Sequence, residues 1–221
     1  MKTYNPDELK AILDSHMEWL KCNRGQQADL SNTNLRNMDL SYANLHGANL
    51  SNADLIGANL CGADLCNTIM RGANLRDADL SHANLTYAIL GGANLTNADL
   101  TYANLSYAIM GDADLTGSKL HDTNLRETNL DGADMTGVEL RNTNRSHANF
   151  YFAGGNGREI KSRRAEPLHI VYTKDIVAIG CQQHSKSDWL GFTDAQISEM
   201  DPYALAWWKE WKPKLIEMGV F

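Results

Sequence analysis

Apolar residues recur every fifth position along more than half of this chain. From Leu30 to Phe150 the step of five gives 25 positions, of which 24 are Leu, Met or Phe and one is Arg145. Two residues before each, the side chain is small: 17 Ala, 5 Thr, 1 Ser, 1 Val and Met38. The unit reads A-[DN]-L-x-x. A period of five fits neither the 3.6 of a helix nor the alternation of a long flat strand. It fits a short extended step followed by a corner, in which Ala and Leu face one way and the Asn or Asp between them faces the other. The Ala and Leu side must be the interior, because each buried Leu contributes about 1.5 to 3 kcal/mol and the repeat offers no other core.

The number of steps per turn is also readable. LSHANLTYAIL (80–90) returns as LTYANLSYAIM (100–110), and an Ile precedes the apolar centre at Ile69, Ile89 and Ile109. A 20-residue period of four pentapeptides predicts a square cross-section, and turns stacked about 4.7 to 4.9 Å apart predict a rod roughly 30 Å long. Gly47, Gly57, Gly62, Gly72, Gly92 and Asn97 stand at corners, where left-handed backbone suits them.

Three segments follow from this pattern: 1–25, 26–152 and 153–221. In the first, Asn5, Pro6 and Glu8 predict a helix start and Asn23, Arg24 and Gly25 a stop. Its stripe of Leu9, Ile12, Leu13, Met17 and Leu20, with Trp19 at the edge, is expected to be the lid of the open solenoid end. In the third, the run 153–157 is glycine-rich, and Leu168–Thr173 and Ile176–Cys181 read as two strands joined at Lys174 and Asp175. Asp201 and Pro202 are expected to open a last helix carrying Ala204, Trp207, Trp208, Trp211, Leu215 and Met218 on one face. A bend or break is expected at Pro213.

With A-[DN]-L-x-x in nearly every unit, residues 28–152 resemble the pentapeptide repeat family. That resemblance implies a right-handed quadrilateral β-helix, here an all-β solenoid with an N-terminal helix and a small α+β C-terminal module. It also implies a function in a minority of members, which resemble DNA in shape and charge and act on DNA gyrase. Those members often carry Phe at the core position and looped insertions, whereas Leu dominates here without insertion. The tail, with IGCQQH and a Trp-rich last helix, is similar to C-terminal modules of phage and prophage pentapeptide proteins.

Composition narrows the function classes. The chain is 43% hydrophobic and 21% charged, as in folded soluble proteins. Neither a signal peptide nor a membrane span is evident, so the expected compartment is the cytoplasm, and Cys22, Cys61, Cys66 and Cys181 are expected as reduced thiols. The net charge of −7 is not evenly spread: residues 26–150 carry 14 acids and 7 bases, while 1–25 carry 4 and 4 and 151–221 carry 9 and 9. A rod of that sign repels phosphate backbones, so direct nucleic-acid binding is not expected, while basic DNA-binding proteins are attracted.

Signatures of catalysis are sparse. Cys181 and His184 stand at C-x-x-H spacing, half of a zinc site or an activated thiol, but two ligands do not complete a site, and a packing role at a strand end competes. No phosphate loop, HExxH or G-x-S-x-G is present. The Asn and Asp residues form regular ladders on a flat rod without a concave pocket. The expectation is therefore a protein that is not an enzyme and needs no cofactor or metal.

Sorting the outward residues by face gives the surface hypothesis. The first face reads Asp29, Asn49, Ile69, Ile89, Ile109, Asn129; the second Asn34, Asp54, Asn74, Asn94, Asp114, Asp134; the third Asp39, Asn59, Asp79, Asp99, Lys119, Glu139; the fourth Asn44, Asp64, then Asn at 84, 104, 124 and 144. Tyr87 and Tyr107 lie beside Ile89 and Ile109. This apolar patch is expected to be covered by the C-terminal segment, a second copy or a protein partner; the plainer alternative is that Ile simply favours a strand. Asp79 and Asp99 represent the competing acidic surface, with DNA gyrase as the candidate partner.

Overall fold

The computed structural model describes residues 1–155, 161–165, 168–179, 182–201 and 203–221. Two units divide the chain, Met1–Phe150 and Tyr151–Phe221.

In the first unit the five-residue rhythm becomes a coil with four sides per turn. Each residue before the core position bridges in parallel to the residue twenty further on, from Asp29↔Asn49 to Asn129↔Asn149. The bonds of one rung are representative: Leu50 N–H donates to the Ile69 carbonyl at 2.7 Å, and Ile69 N–H to the Ala48 carbonyl at 3.0 Å. At the corners the small residue's N–H donates back to the core carbonyl three residues earlier, as from Ala48 to Leu45 at 2.8 Å. Every corner residue from Asn32 to His147 is left-handed, with φ between 54° and 71°. Gly and Asn take that conformation at low cost, but Tyr42, Tyr87, Tyr102, Tyr107 and Glu127 adopt it too. The solenoid ladder holds them there, which local propensity would not.

Leu, Met and Phe at the core position are at most 3% exposed, and Arg145 alone is intermediate. Where Thr replaces the inner Ala its hydroxyl finds a backbone acceptor, Thr123 to Leu100 at 3.0 Å and Thr128 to Leu105 at 2.8 Å, which is what makes a polar group tolerable inside.

Ahead of the coil, β1 (Lys2–Thr3) pairs in parallel with β2 (Thr33–Asn34), a contact the sequence did not announce. Helix α1 (Pro6–Leu20) starts with the capping box expected from Asn5 and Glu8. Its burial differs from the expected stripe. Leu9 and His16 are buried, whereas Ile12, Leu13, Met17 and Leu20 are only partly so. His16 is held because its Nδ1 accepts the Ala28 N–H at 3.1 Å and its ring stacks on Trp19. Gly25 is required at the return: a β-carbon there would stand 2.0 Å from the Ser15 carbonyl oxygen.

Burial lowers the His16 pKa below the ordinary imidazole value, with His46 close by. The unfolded chain therefore takes up a proton at a higher pH than the folded one, and stability falls as pH drops below the unfolded value of about 6.5. Corrected hydrogen exchange at the Ala28 amide is expected to quicken between about pH 7.5 and 5.5. His16→Gln, which keeps an acceptor but does not titrate, should flatten that response; an unchanged profile in the variant would assign it to another group.

In the second unit a four-stranded antiparallel sheet, β3 (Lys161–Ala165), β4 (Leu168–Tyr172), β5 (Ile176–Ile179) and β6 (Gln182–Ser185), runs in sequence order. The central hairpin was legible; β3 and β6 were not. Three helices follow, α2 (Lys186–Gly191), α3 (Asp194–Met200) and α4 (Ala204–Glu217), the first two also unforeseen. The core joins Ile170, Val177, Trp189, Ile197, Trp208 and Leu215, and the Trp189 indole donates to the Val177 carbonyl at 2.8 Å. On the tryptophan face Trp208 and Leu215 are buried and Trp207 and Trp211 pack partly, but Met218 is 41% exposed and Val220 is buried instead. Of the bend or break expected at Pro213, the break is corrected: α4 continues through it. Pro213 is on the exposed side, where water can satisfy the carbonyl that loses its helical N–H partner.

Candidate functional site

The outward Asn and Asp side chains have a local job. At every such position from Asp29 to Asn144, the side-chain Oδ1 accepts the backbone N–H two residues on, closing the corner. Neighbouring turns are tied by amides, Asn124 to Asn104 at 3.0 Å and Asn144 to Asn124 at 3.1 Å. Hydroxyls of the corner residues, and after them these N–H groups, hold carboxylates ionised: Ser31 lowers the pKa of Asp29, Ser41 that of Asp39 and Thr116 that of Asp114. A carboxyl stabilised as the anion is a poor proton donor.

Ile69, Ile89 and Ile109 break this rule. An isoleucine offers no acceptor, so the N–H groups of Arg71, Gly91 and Gly111 forgo the bond their counterparts receive from Asn or Asp, a net sacrifice of about 1 kcal/mol each. Strand propensity is therefore an insufficient reason for three isoleucines in register. Ile69 is 37% and Ile109 43% exposed, Ile89 is intermediate, and the three form one parallel column through the bridges Ile69↔Ile89 and Ile89↔Ile109. Beside them at the corner Tyr87, 51% exposed, stacks on Tyr107 at 5.0 Å, and the Arg126 guanidinium lies 5.5 Å from the Tyr107 ring. On the other flank Gly91 and Gly111 carry no side chain, and the Arg71 guanidinium lies over Gly91.

Asp79 and Asp99 lie elsewhere. They belong to the third face, opposite the isoleucine column, so the candidate residues divide between two sides of the rod. Asp79 accepts the Ser81 N–H at 2.9 Å. Asp99 is paired with Lys119 at 3.0 Å; burial opposes its charge, but Thr101 and Lys119 more than compensate, and its pKa is lowered. The acidic side is thus partly neutralised by its own ladder.

A second aromatic column, which the sequence reading missed, follows the corner between the third and fourth faces. There the Tyr42 ring covers Gly62 and His82 stacks on Tyr102 at 5.0 Å. Its signal was available: the corner residue at positions 42, 82 and 102 repeats the 20-residue period.

In the second unit, His184 meets Trp189 and Phe192 edge-on and lies 3.3 Å from Gln182 Oε1. Cys181 lies outside the described residues. Among the described residues no group of three metal-ligating side chains comes together, and no helix is long and apolar enough to cross a membrane. An open groove of about 480 Å³ lies between α1, β1 and the first turn, lined by Lys2, Tyr4, Glu8, Ile12, Gln27 and Asp29 among others.

Comparison with known proteins places these features in a family. The family model for pentapeptide repeats matches eight copies, over 26–55, 48–86, 78–117 and 118–151. Similar solved structures include a pentapeptide repeat protein from the Arabidopsis thaliana thylakoid lumen, 30% identical over 46% of this chain and 70% of that one, TM-score 0.44. Another is Rfr23 from the cyanobacterium Cyanothece 51142, 28% identical over 59% of this chain and 86% of that one, TM-score 0.41. A third is QnrB1, a plasmid-mediated fluoroquinolone resistance protein, 19% identical over 58% of this chain and 75% of that one, TM-score 0.42. No curated protein matches the chain by sequence.

Proposed function

Because the chain belongs to the pentapeptide repeat family, whose fold is a right-handed quadrilateral β-helix, we propose that it is a non-enzymatic cytoplasmic scaffold that binds protein through the isoleucine and tyrosine strip of its first face. The observation that carries this reading is the column Ile69, Ile89 and Ile109, its ends exposed and its middle half-buried, where Asn or Asp would have closed the corner. Helix α1, with Leu9 and His16 buried, serves as the lid of the first turn. Carboxylates engaged in corner bonds and held ionised support a role in structure over one in proton transfer.

Occupation of DNA gyrase or another basic DNA-binding protein by the acidic faces is the second reading, favoured by the concentration of the net charge on the repeat. The two separate by salt: contacts of acidic faces weaken steeply with ionic strength, and apolar docking does not. Light scattering on the full chain, alone and mixed with DNA gyrase at low and moderate salt, is the first test. A gyrase complex that dissolves as salt rises would assign function to the acidic faces and overturn the first reading.

Ile89→Asp gives the second test. Aspartate can accept the Gly91 N–H, so stability is expected to change by less than about 1 kcal/mol. Fluorescence of a bound apolar dye, and any salt-resistant assembly, should fall severalfold. If neither changes, the strip is not a docking surface.

A further inference from the structure

We propose that the first face is a self-docking surface on which two copies of this chain lie antiparallel, with the two-fold axis crossing the face between its fourth and fifth turns. The inference rests on the reading of the strip as a protein-binding surface and names the occupant. It is carried by charge complementarity of the face with itself. From 49 to 131, the ladder position and the residue after the core carry one cation, Arg71, and one anion, Asp131. They stand in the third and sixth turns, three rungs or about 14 Å apart, and among the described residues neither makes an ion pair within the chain. Arg71 is exposed, and its guanidinium leans over Gly91, toward the middle of the strip.

An antiparallel two-fold operation keeps each column facing itself and reverses the order of turns. With the axis between turns four and five, each Arg71 meets the other copy's Asp131, giving two ion pairs that flank the apolar centre. Ile89 then faces Ile109, Tyr87 faces Tyr107, and Gly91 faces Gly111, with each copy's Arg71 guanidinium lying over its own Gly91. No like charges oppose each other in the strip. Moving the axis onto the fourth turn sets Arg71 on Gly111 and Asp131 on Ser51, so neither charge is paired. The parallel arrangement brings Asp131 against the corner residue of the same turn, Glu127, acid on acid. Only the antiparallel register satisfies the apolar centre and both charges together.

One face of a rod is small beside the roughly 800 Å² per partner of a standard interface, so a dissociation constant on the order of 10 µM is expected. The test is sedimentation velocity of the full chain over a concentration series. The wild type is expected to shift from monomer to dimer. Arg71→Asp and Asp131→Arg should each weaken the dimer about tenfold or more by placing like charges together, while the double variant Arg71→Asp/Asp131→Arg should return to within about threefold of wild type. Both substitutions lie on the surface, and the rescue excludes a folding defect. Double-variant association no better than the singles would overturn this register. A wild type that stays monomeric while still binding the apolar dye in an Ile89-dependent way would overturn self-docking and leave the strip a surface for a different protein. Loss of both signals would remove the two proposals together.

Discussion

Leu85→Ala is expected to destabilise the solenoid by about 3 kcal/mol and to lower its thermal midpoint by roughly 10 °C. Leu85 is fully buried in the middle of the rod, its N–H bonded to the Asn104 carbonyl at 2.7 Å. Leu65 and Leu105 stand one turn to either side of it and are equally buried. A repeat contacts only its neighbours, so no second layer can move in to fill the gap. The surrounding backbone is fixed by ladder bonds to both adjacent turns, which leaves little scope for collapse and puts the cost in the middle of the range for a buried leucine. Calorimetry on wild type and variant measures this. A loss below about 1 kcal/mol would mean that the interior relaxes far more than close-packed interiors do.

Arg145→Leu is expected to act in the opposite direction, stabilising the unit by about 2 kcal/mol and raising its midpoint by roughly 5 °C. Arg145 occupies the core position of its pentapeptide, and its Nη1 is buried without a hydrogen-bond partner. A guanidinium stays charged at any ordinary pH, so this burial is uncompensated at that nitrogen. Leucine restores the residue found at the matching position one turn earlier, the fully buried Leu125. Thermal unfolding followed by circular dichroism reads the change. A lower midpoint in the variant would show that the arginine makes a stabilising charged contact that outweighs its desolvation.

The candidate site was legible in part. Ile69, Ile89 and Ile109 were identifiable as one column because the period places them there, and their exposure follows from the same arithmetic. Their cost was not legible, because it lies in the missing bonds to Arg71, Gly91 and Gly111, and these become visible only when every Asn and Asp in the same position is seen to make one. Asp79 and Asp99 looked alike as letters. In three dimensions Asp99 is engaged by Lys119, twenty residues on, so its charge is largely spoken for.

His16 shows the limit of a stripe drawn on one helix. At the spacing of Leu9, Ile12 and Leu13 it falls on the inward side, yet a stripe drawn from apolar residues alone passes it over. What decides its place is an N–H at Ala28 that needs an acceptor, a demand set by another segment. The tail shows the same limit more broadly. β3 (KSRRA) and β6 (QQHS) carry no apolar alternation and exist as strands because β4 and β5 lend them ladder partners. Local rules weigh the lost N–H at Pro213 and allow a bend or a break, while the packing of Trp208 and Leu215 on either side holds the helix continuous.

The repeat, by itself, determined the coil: its five-residue step, its four sides, which side chains face inward and where the corners fall. Periodicity suffices for this because each turn repeats the same contacts with the turn before it, so local sequence and tertiary neighbour are related by a constant offset of twenty. Outside the coil no such offset exists. Which residue of α1 enters the interior, which polar strands join the sheet and which carboxylates are already paired were decided by contacts between segments with no fixed spacing, and only the tertiary structure supplies those.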